Sequence, residues 1–172
     1  MKYLPAIIII IVLLGGSVYM ANNRMSSSTD KDVIPQGDTQ SQTEQKISYS
    51  LDLSNTGLKK VPMDVFSKVA LESLDVSNNQ LEGSLQAEIR HLQKLKILDL
   101  SNNKFSGVPA EIGQLQSLEV LNLSNNQITG LPYELGNLSN LKFLDLSGNQ
   151  YSEADLAIIR KTLPKDTVVK TQ

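Results

Sequence analysis

The sequence predicts an α/β fold built as a solenoid of about five stacked coils and closed at its C-terminal end by a helix. Three observations predict it. A motif with strand-like alternation returns every 23 or 24 residues, in the blocks SYSLDLSNTGL, LESLDVSNNQL, LKILDLSNNKF, LEVLNLSNNQI and LKFLDLSGNQY, which begin at Ser48, Leu71, Leu95, Leu118 and Leu141.

 

In four of the five blocks the pattern LxxLxLxxNxL holds at every position, with Val, Ile, Phe or Tyr standing in for Leu. Glycine and proline punctuate the stretch after each block, and one amphipathic helical segment follows the last. A period of this length marks a repeat array. One unit is too short to bury its own apolar face, and stacking joins the faces into a single core.

Each element follows from its residues. The LxL alternation has the period of a strand, with Leu51 and Leu53, Leu74 and Val76, Leu98 and Leu100, Leu121 and Leu123, and Leu144 and Leu146 facing inward. Asn79, Asn103, Asn126 and Asn149 follow the strands, where a side-chain amide satisfies backbone groups of adjacent coils that stacking would otherwise bury unpaired. Thr56 takes this place in the first block, a departure that suits a terminal coil with one neighbour fewer. Gly83, Gly107 and Gly130 are expected to permit the next bend. Val61-Pro62, Val108-Pro109 and Leu131-Pro132 then begin the return segment, where proline needs no ladder partner. The second coil departs from the rule with GSLQAEI and carries the one-residue insertion, so a local bulge is expected there. At the end, Ser152 is placed to cap a helix with Glu153 and Asp155 in its first turn. Leu156, Ile159 and Leu163 form its apolar stripe and Pro164 stops it.

These blocks resemble the leucine-rich-repeat family from Ser48 onward, and the half-coils FSGVPAEIGQLQS and ITGLPYELGNLSN look like its 23-residue subtype with Leu-Pro after the strand. The resemblance implies a right-handed solenoid with a parallel sheet on the concave face and short helical turns on the convex face.

Two segments precede the repeats. Leu4 to Ala21 is an apolar run flanked by Lys2 and Arg24, and residues 1–21 are read as a transmembrane anchor or a signal peptide. Eighteen helical residues reach roughly 27 Å, enough for the hydrocarbon core, whereas Gly15-Gly16-Ser17 offers small residues for cleavage. Residues 22–46 are poor in apolar side chains and rich in Ser, Thr, Gln and Asp, the composition of a disordered polar linker. The repeat domain with its cap is assigned to 47–172. Either reading of the first segment places that domain outside the cytoplasm, retained on the membrane in one case and secreted in the other.

Composition narrows the function classes. A net charge of −2 gives no reason to expect nucleic acid as a partner. There is no cysteine, hence no disulfide and no thiolate chemistry, which hints at a bacterial source for an extracytoplasmic domain. His91 is the one histidine and falls in the return segment of the second coil, away from the strand serines. No catalytic group, metal site or cofactor is therefore expected. Asn122-Leu123-Ser124 and Asn137-Leu138-Ser139 match the glycosylation sequon but arise from the repeat wording, and no role is assigned to them.

The binding candidates lie between the inward leucines, in ladders about 4.8 Å apart from strand to strand. One ladder is Asp52, Asp75, Asp99, Asn122 and Asp145, and a second is Ser54, Ser77, Ser101, Ser124 and Ser147. Both are the common wording of the repeat. A third ladder, Ser50, Ser73, Ile97, Val120 and Phe143, turns apolar toward the C-terminus, as a binding patch or as cross-strand packing. The concave-face candidates are accordingly Ile97, Asp99, Val120, Asn122, Phe143 and Asp145. The function expected is recognition of a protein or peptide ligand by a membrane-tethered monomer, with a non-catalytic envelope scaffold as the alternative.

Overall fold

The computed structural model describes residues 49–172. The anchor or signal assigned to 1–21 and the linker assigned to 22–46 lie outside the described residues. Among those described, no helix is long and apolar enough to cross a membrane.

Among the described residues eight short strands follow one another as β1 (Ser50–Asp52), β2 (Ser73–Asp75), β3 (Glu82–Ser84), β4 (Ile97–Asp99), β5 (Lys104–Gly107), β6 (Val120–Asn122), β7 (Phe143–Asp145) and β8 (Val168–Lys170). Six of them form one parallel sheet in the order β1-β2-β4-β6-β7-β8. Its register pairs equivalent residues of every block, so that Leu51, Leu74, Leu98, Leu121 and Leu144 stand side by side. Five of these strands are the predicted ones. The sixth, β8, comes from the tail after the cap and pairs with β7 through Leu144 and Val169.

The return segments are 3-10 turns at Met63–Ser67, Ala87–His91, Ala110–Gln114 and Tyr133–Asn137. Pro62, Pro109 and Pro132 stand immediately before three of them with φ of −61°, −76° and −67°, the value their rings impose. In the second coil Gln86 takes the proline's place, and its side-chain amide donates to the Val61 carbonyl at 2.6 Å. The core lies between the sheet and these turns. Leu74, Leu98, Leu121 and Leu144 are buried within it from the strand side, and Ile89, Ile112 and Leu135 from the turn side.

The asparagines behave as their position predicts. Asn126 donates to the carbonyls of Leu100 and Leu123, both at 3.0 Å, while its side-chain oxygen accepts from the Phe105 amide at 3.0 Å. Asn103 repeats this with Val76, Leu100 and Leu81. Each asparagine thus joins two coils with groups that would otherwise be buried unpaired. At the first coil Thr56 donates instead to the Leu53 carbonyl at 2.7 Å.

The glycine expectation needs correction. Of Gly83, Gly107 and Gly130, only Gly83 has positive φ, at 75°. The left-handed corner belongs to the residue after each strand serine: Asn55, Asn78, Asn102 and Asn125 at φ between 54° and 56°, and Gly148 at 69°. Asparagine tolerates that conformation through local hydrogen bonding and glycine through its missing Cβ, which explains the Asn or Gly found there in every block. The irregularity expected in the second coil lies across its step to the third, where the extra residue is Ser106 on β5. Strand β3 pairs with β5 in a separate two-stranded sheet, and the register shifts between Gly83 and Ser84.

Ser152 caps the terminal helix α1 (Glu153–Ile159), its hydroxyl accepting from the Asp155 amide at 3.3 Å. Leu156 and Ile159 are buried. The helix is shorter than expected: it ends at Ile159, and Leu163 reaches the core from the turn that follows rather than from the helix.

Candidate functional site

Register places the predicted residues together. Ile97 pairs with Val120 and Val120 with Phe143, while Asp99 pairs with Asn122 and Asn122 with Asp145. The two ladders run side by side on the face of the sheet opposite the buried leucines. Ile97, Val120 and Phe143 are half-buried. Strand β8 lengthens both ladders. Val168 stands beside Phe143 and is 59% exposed, and Lys170 stands beside Asp145.

The acidic ladder has a structural duty. One carboxylate oxygen of each aspartate accepts from the amide two residues on, Ser54 to Asp52 and Ser77 to Asp75 at 2.8 Å, and Ser101 to Asp99 and Ser147 to Asp145 at 2.9 Å. Asn122 does the same with its amide oxygen toward Ser124 at 3.1 Å. These closures turn the chain out of the strand. The second oxygen is what differs between coils. At Asp99 it accepts from the Asn122 side chain at 3.0 Å, and at Asp145 from Lys170 at 2.9 Å.

The charges respond accordingly. Burial pushes the Asp75 carboxyl up and the carboxylates of Asp99 and Asp52 add to the effect, against the hydrogen bonds from Ser77. At Asp145 burial acts in the same direction, but the bonds from Ser147 and Lys170 outweigh it and hold the carboxyl below its ordinary value. Asp145 is itself buried, so Lys170 is the charged group that this end of the face presents to solvent.

Beside the apolar ladder, on the residues just before the strands, runs a ladder of alternating sign. Lys96 meets Glu72 at 2.9 Å and Lys142 meets Glu119 at 2.7 Å. Sequence reasoning missed this ladder, although opposite charges at the repeat spacing were there to be read. It also missed Val168 and Lys170. Their signal was weaker: a β-branched pair, Val168-Val169, after Pro164, but no leucine and no asparagine corner. His91 is exposed at the end of the second 3-10 turn. Among the described residues no group of three acidic or imidazole side chains is placed to hold a metal ion.

This geometry is that of a repeat solenoid with a lined strand face. Residues 49–105 and 93–150 match the leucine rich repeat family, more than half of the chain, and the chain belongs to that family. Receptor-like protein 41 of Arabidopsis thaliana is 46% identical over 59 residues, 34% of this chain and 7% of that protein. The chain spans between 4% and 10% of the length of the curated relatives it matches. Among solved structures, a leucine-rich-repeat protein of Leptospira interrogans is 38% identical with a TM-score of 0.61, covering 65% of this chain and 28% of that one. A chain of the BIR3–SERK2 complex from Arabidopsis thaliana is 32% identical with a TM-score of 0.57, covering 72% and 68%. The curated relatives are plant proteins, and the similar structures come from plants and bacteria alike. The absence of cysteine therefore does not carry the bacterial source expected from it.

Proposed function

We propose that the strand face of this domain binds a protein or peptide ligand without catalysis, and that the N-terminal segment holds the domain outside the cytoplasm at a membrane. The observation that carries the reading is the in-register stripe Ile97–Val120–Phe143, extended by Val168. Ser50 and Ser73 occupy the same ladder position in the first two coils, so the fold does not demand apolar residues there. An apolar centre beside charged ladders has the composition of a recognition patch. Similarity to a chain of a two-protein complex supports the same reading.

The ligand contacts are assigned to Ile97, Asp99, Val120, Asn122 and Phe143, with Asp145 acting through Lys170. The test is the double substitution Val120→Ser with Phe143→Ser in the full chain, read against peptides selected from a random display library. Affinity should fall by more than about tenfold while circular dichroism and the unfolding midpoint change little. Unchanged affinity per folded molecule, with lost stability, would assign the stripe to sheet packing alone.

A further inference from the structure

The charges of the strand face are not evenly matched. Lys96 pairs with Glu72, Lys142 with Glu119, and Lys170 with Asp145, so these three lysines answer acids other than Asp52, Asp75 and Asp99. Asp52, Asp75 and Asp99 sit on three adjacent strands, and among the described residues no cation reaches ion-pair distance of any of them. The apolar ladder runs the other way. It is serine over β1 and β2 and becomes Ile, Val, Phe and Val from β4 to β8. The face is therefore anionic at one end and apolar at the other.

We propose that its occupant is an extended peptide segment lying across the strands, with a basic side chain over Asp52, Asp75 and Asp99 and an aliphatic or aromatic one over Val120, Phe143 and Val168. This rests on the strand-face reading above and adds the chemistry of the partner. Spacing follows from the sheet. From Asp75 on β2 to Phe143 on β7 is three strand steps, about 14 Å at about 4.8 Å each. An extended chain rises about 3.4 Å per residue, so the basic and apolar side chains stand about four residues apart. The Asp75 carboxyl is pushed up first by burial and then by its two acidic neighbours, and a cation placed over it would favour the ionised form.

A random-peptide display library selected on the immobilised full chain tests this, with Asp52→Asn, Asp75→Asn and Asp99→Asn combined in one variant. Asn122 already closes the same turn with an amide oxygen, so the substitutions keep the bonds to Ser54, Ser77 and Ser101. Peptides enriched on the unsubstituted chain should carry Lys or Arg about four residues from an aliphatic or aromatic residue. Their affinity should fall about tenfold on the triple variant and decline with added salt. Should the triple variant fail to fold, Asp75→Asn alone with the salt titration carries the same test. Enriched peptides without a basic residue, or with affinity unchanged by the aspartate substitutions, overturn the proposal. They leave the strand-face reading standing if Val120→Ser with Phe143→Ser still abolishes binding. A library that yields no saturable binder overturns both.

Discussion

The ammonium group of Lys170 lies 2.9 Å from the second carboxylate oxygen of Asp145, so the last acid of the repeat ladder is answered by a residue from outside the repeat. Asp145 is buried and Lys170 is exposed, which makes the contact a lid on the carboxylate rather than a buried pair. Replacing Lys170 by Met should cost about 1 kcal/mol at neutral pH, since one partner is solvated. The folded pKa of Asp145 is depressed, so its stabilisation is complete above the unfolded value of 3.8 and disappears as pH falls through the lower folded value. Urea denaturation of both chains at neutral pH and at acid pH checks the loss and its convergence.

Asp75 gives the opposite sign. Its folded pKa is raised, so the ionised form weakens the fold above that pKa, and protonation relieves it on acidification. Asp75→Asn keeps the acceptor for the Ser77 amide and removes the charge. The variant should unfold at a slightly higher denaturant midpoint than the parent at neutral pH, and the gain should vanish below pH 3.8. A lower midpoint at neutral pH would show that Asp75 stabilises the fold through its charge.

The asparagine ladder should be costly to disturb in the middle and cheaper at the edge. Asn126→Ala leaves the Leu100 and Leu123 carbonyls and the Phe105 amide without their partner in a buried place. That should cost about 2–4 kcal/mol, more than one hydrogen bond is worth, because the stranded groups keep their desolvation penalty. Asn79 is only half-buried, and Asn79→Ala should cost less because water can reach the groups it leaves. Equal losses at the two sites by chemical denaturation would contradict this.

The sheet was legible because its cause is periodic. Leu74, Leu98, Leu121 and Leu144 recur at the repeat spacing, and parallel pairing then sets Ile97 beside Val120 and Phe143 without further information. What the repeat does not encode was harder to read. Strand β8 lies outside the motif and is held by partners far away in the chain, among them the Leu144 register contact and the Asp145 carboxylate. The left-handed corners at Asn78, Asn102 and Asn125 each have a second asparagine beside them, so residue type alone does not say which of the pair takes the corner. The site was half legible: position in a ladder follows from the period, but which carboxylate keeps a free oxygen depends on Asn122 and Lys170 as neighbours.

The end of the solenoid should be the sharpest test of the packing argument. Helix α1 covers the turn side of the last coil through Leu156 and Ile159, each 1% exposed, and β8 covers its strand side through Val169, which is partly buried against the core. The fit is close: a Cβ at Gly136, in the last 3-10 turn, would collide with the Thr162 hydroxyl oxygen just after the helix. Ile159→Ala removes a fully enclosed side chain and should cost about 2–4 kcal/mol, whereas Val169→Ala should cost about 1 kcal/mol. Gly136→Ala should also destabilise, because the Thr162 Cβ would stand 3.1 Å from the added methyl and its hydroxyl would have to leave the Ile159 carbonyl to make room. In a repeat array each coil leans only on its neighbours, so damage at the cap should loosen the nearest strands first. Hydrogen exchange in the Ile159→Ala chain should therefore quicken at the Leu146 and Val168 amides, which bond to Lys170 and Lys142, before it quickens at Val76 and Leu100 in the middle of the sheet. Denaturation of Ile159→Ala within about 0.5 kcal/mol of the parent, with exchange unchanged at both places, would mean that the helix rests on the solenoid without closing it.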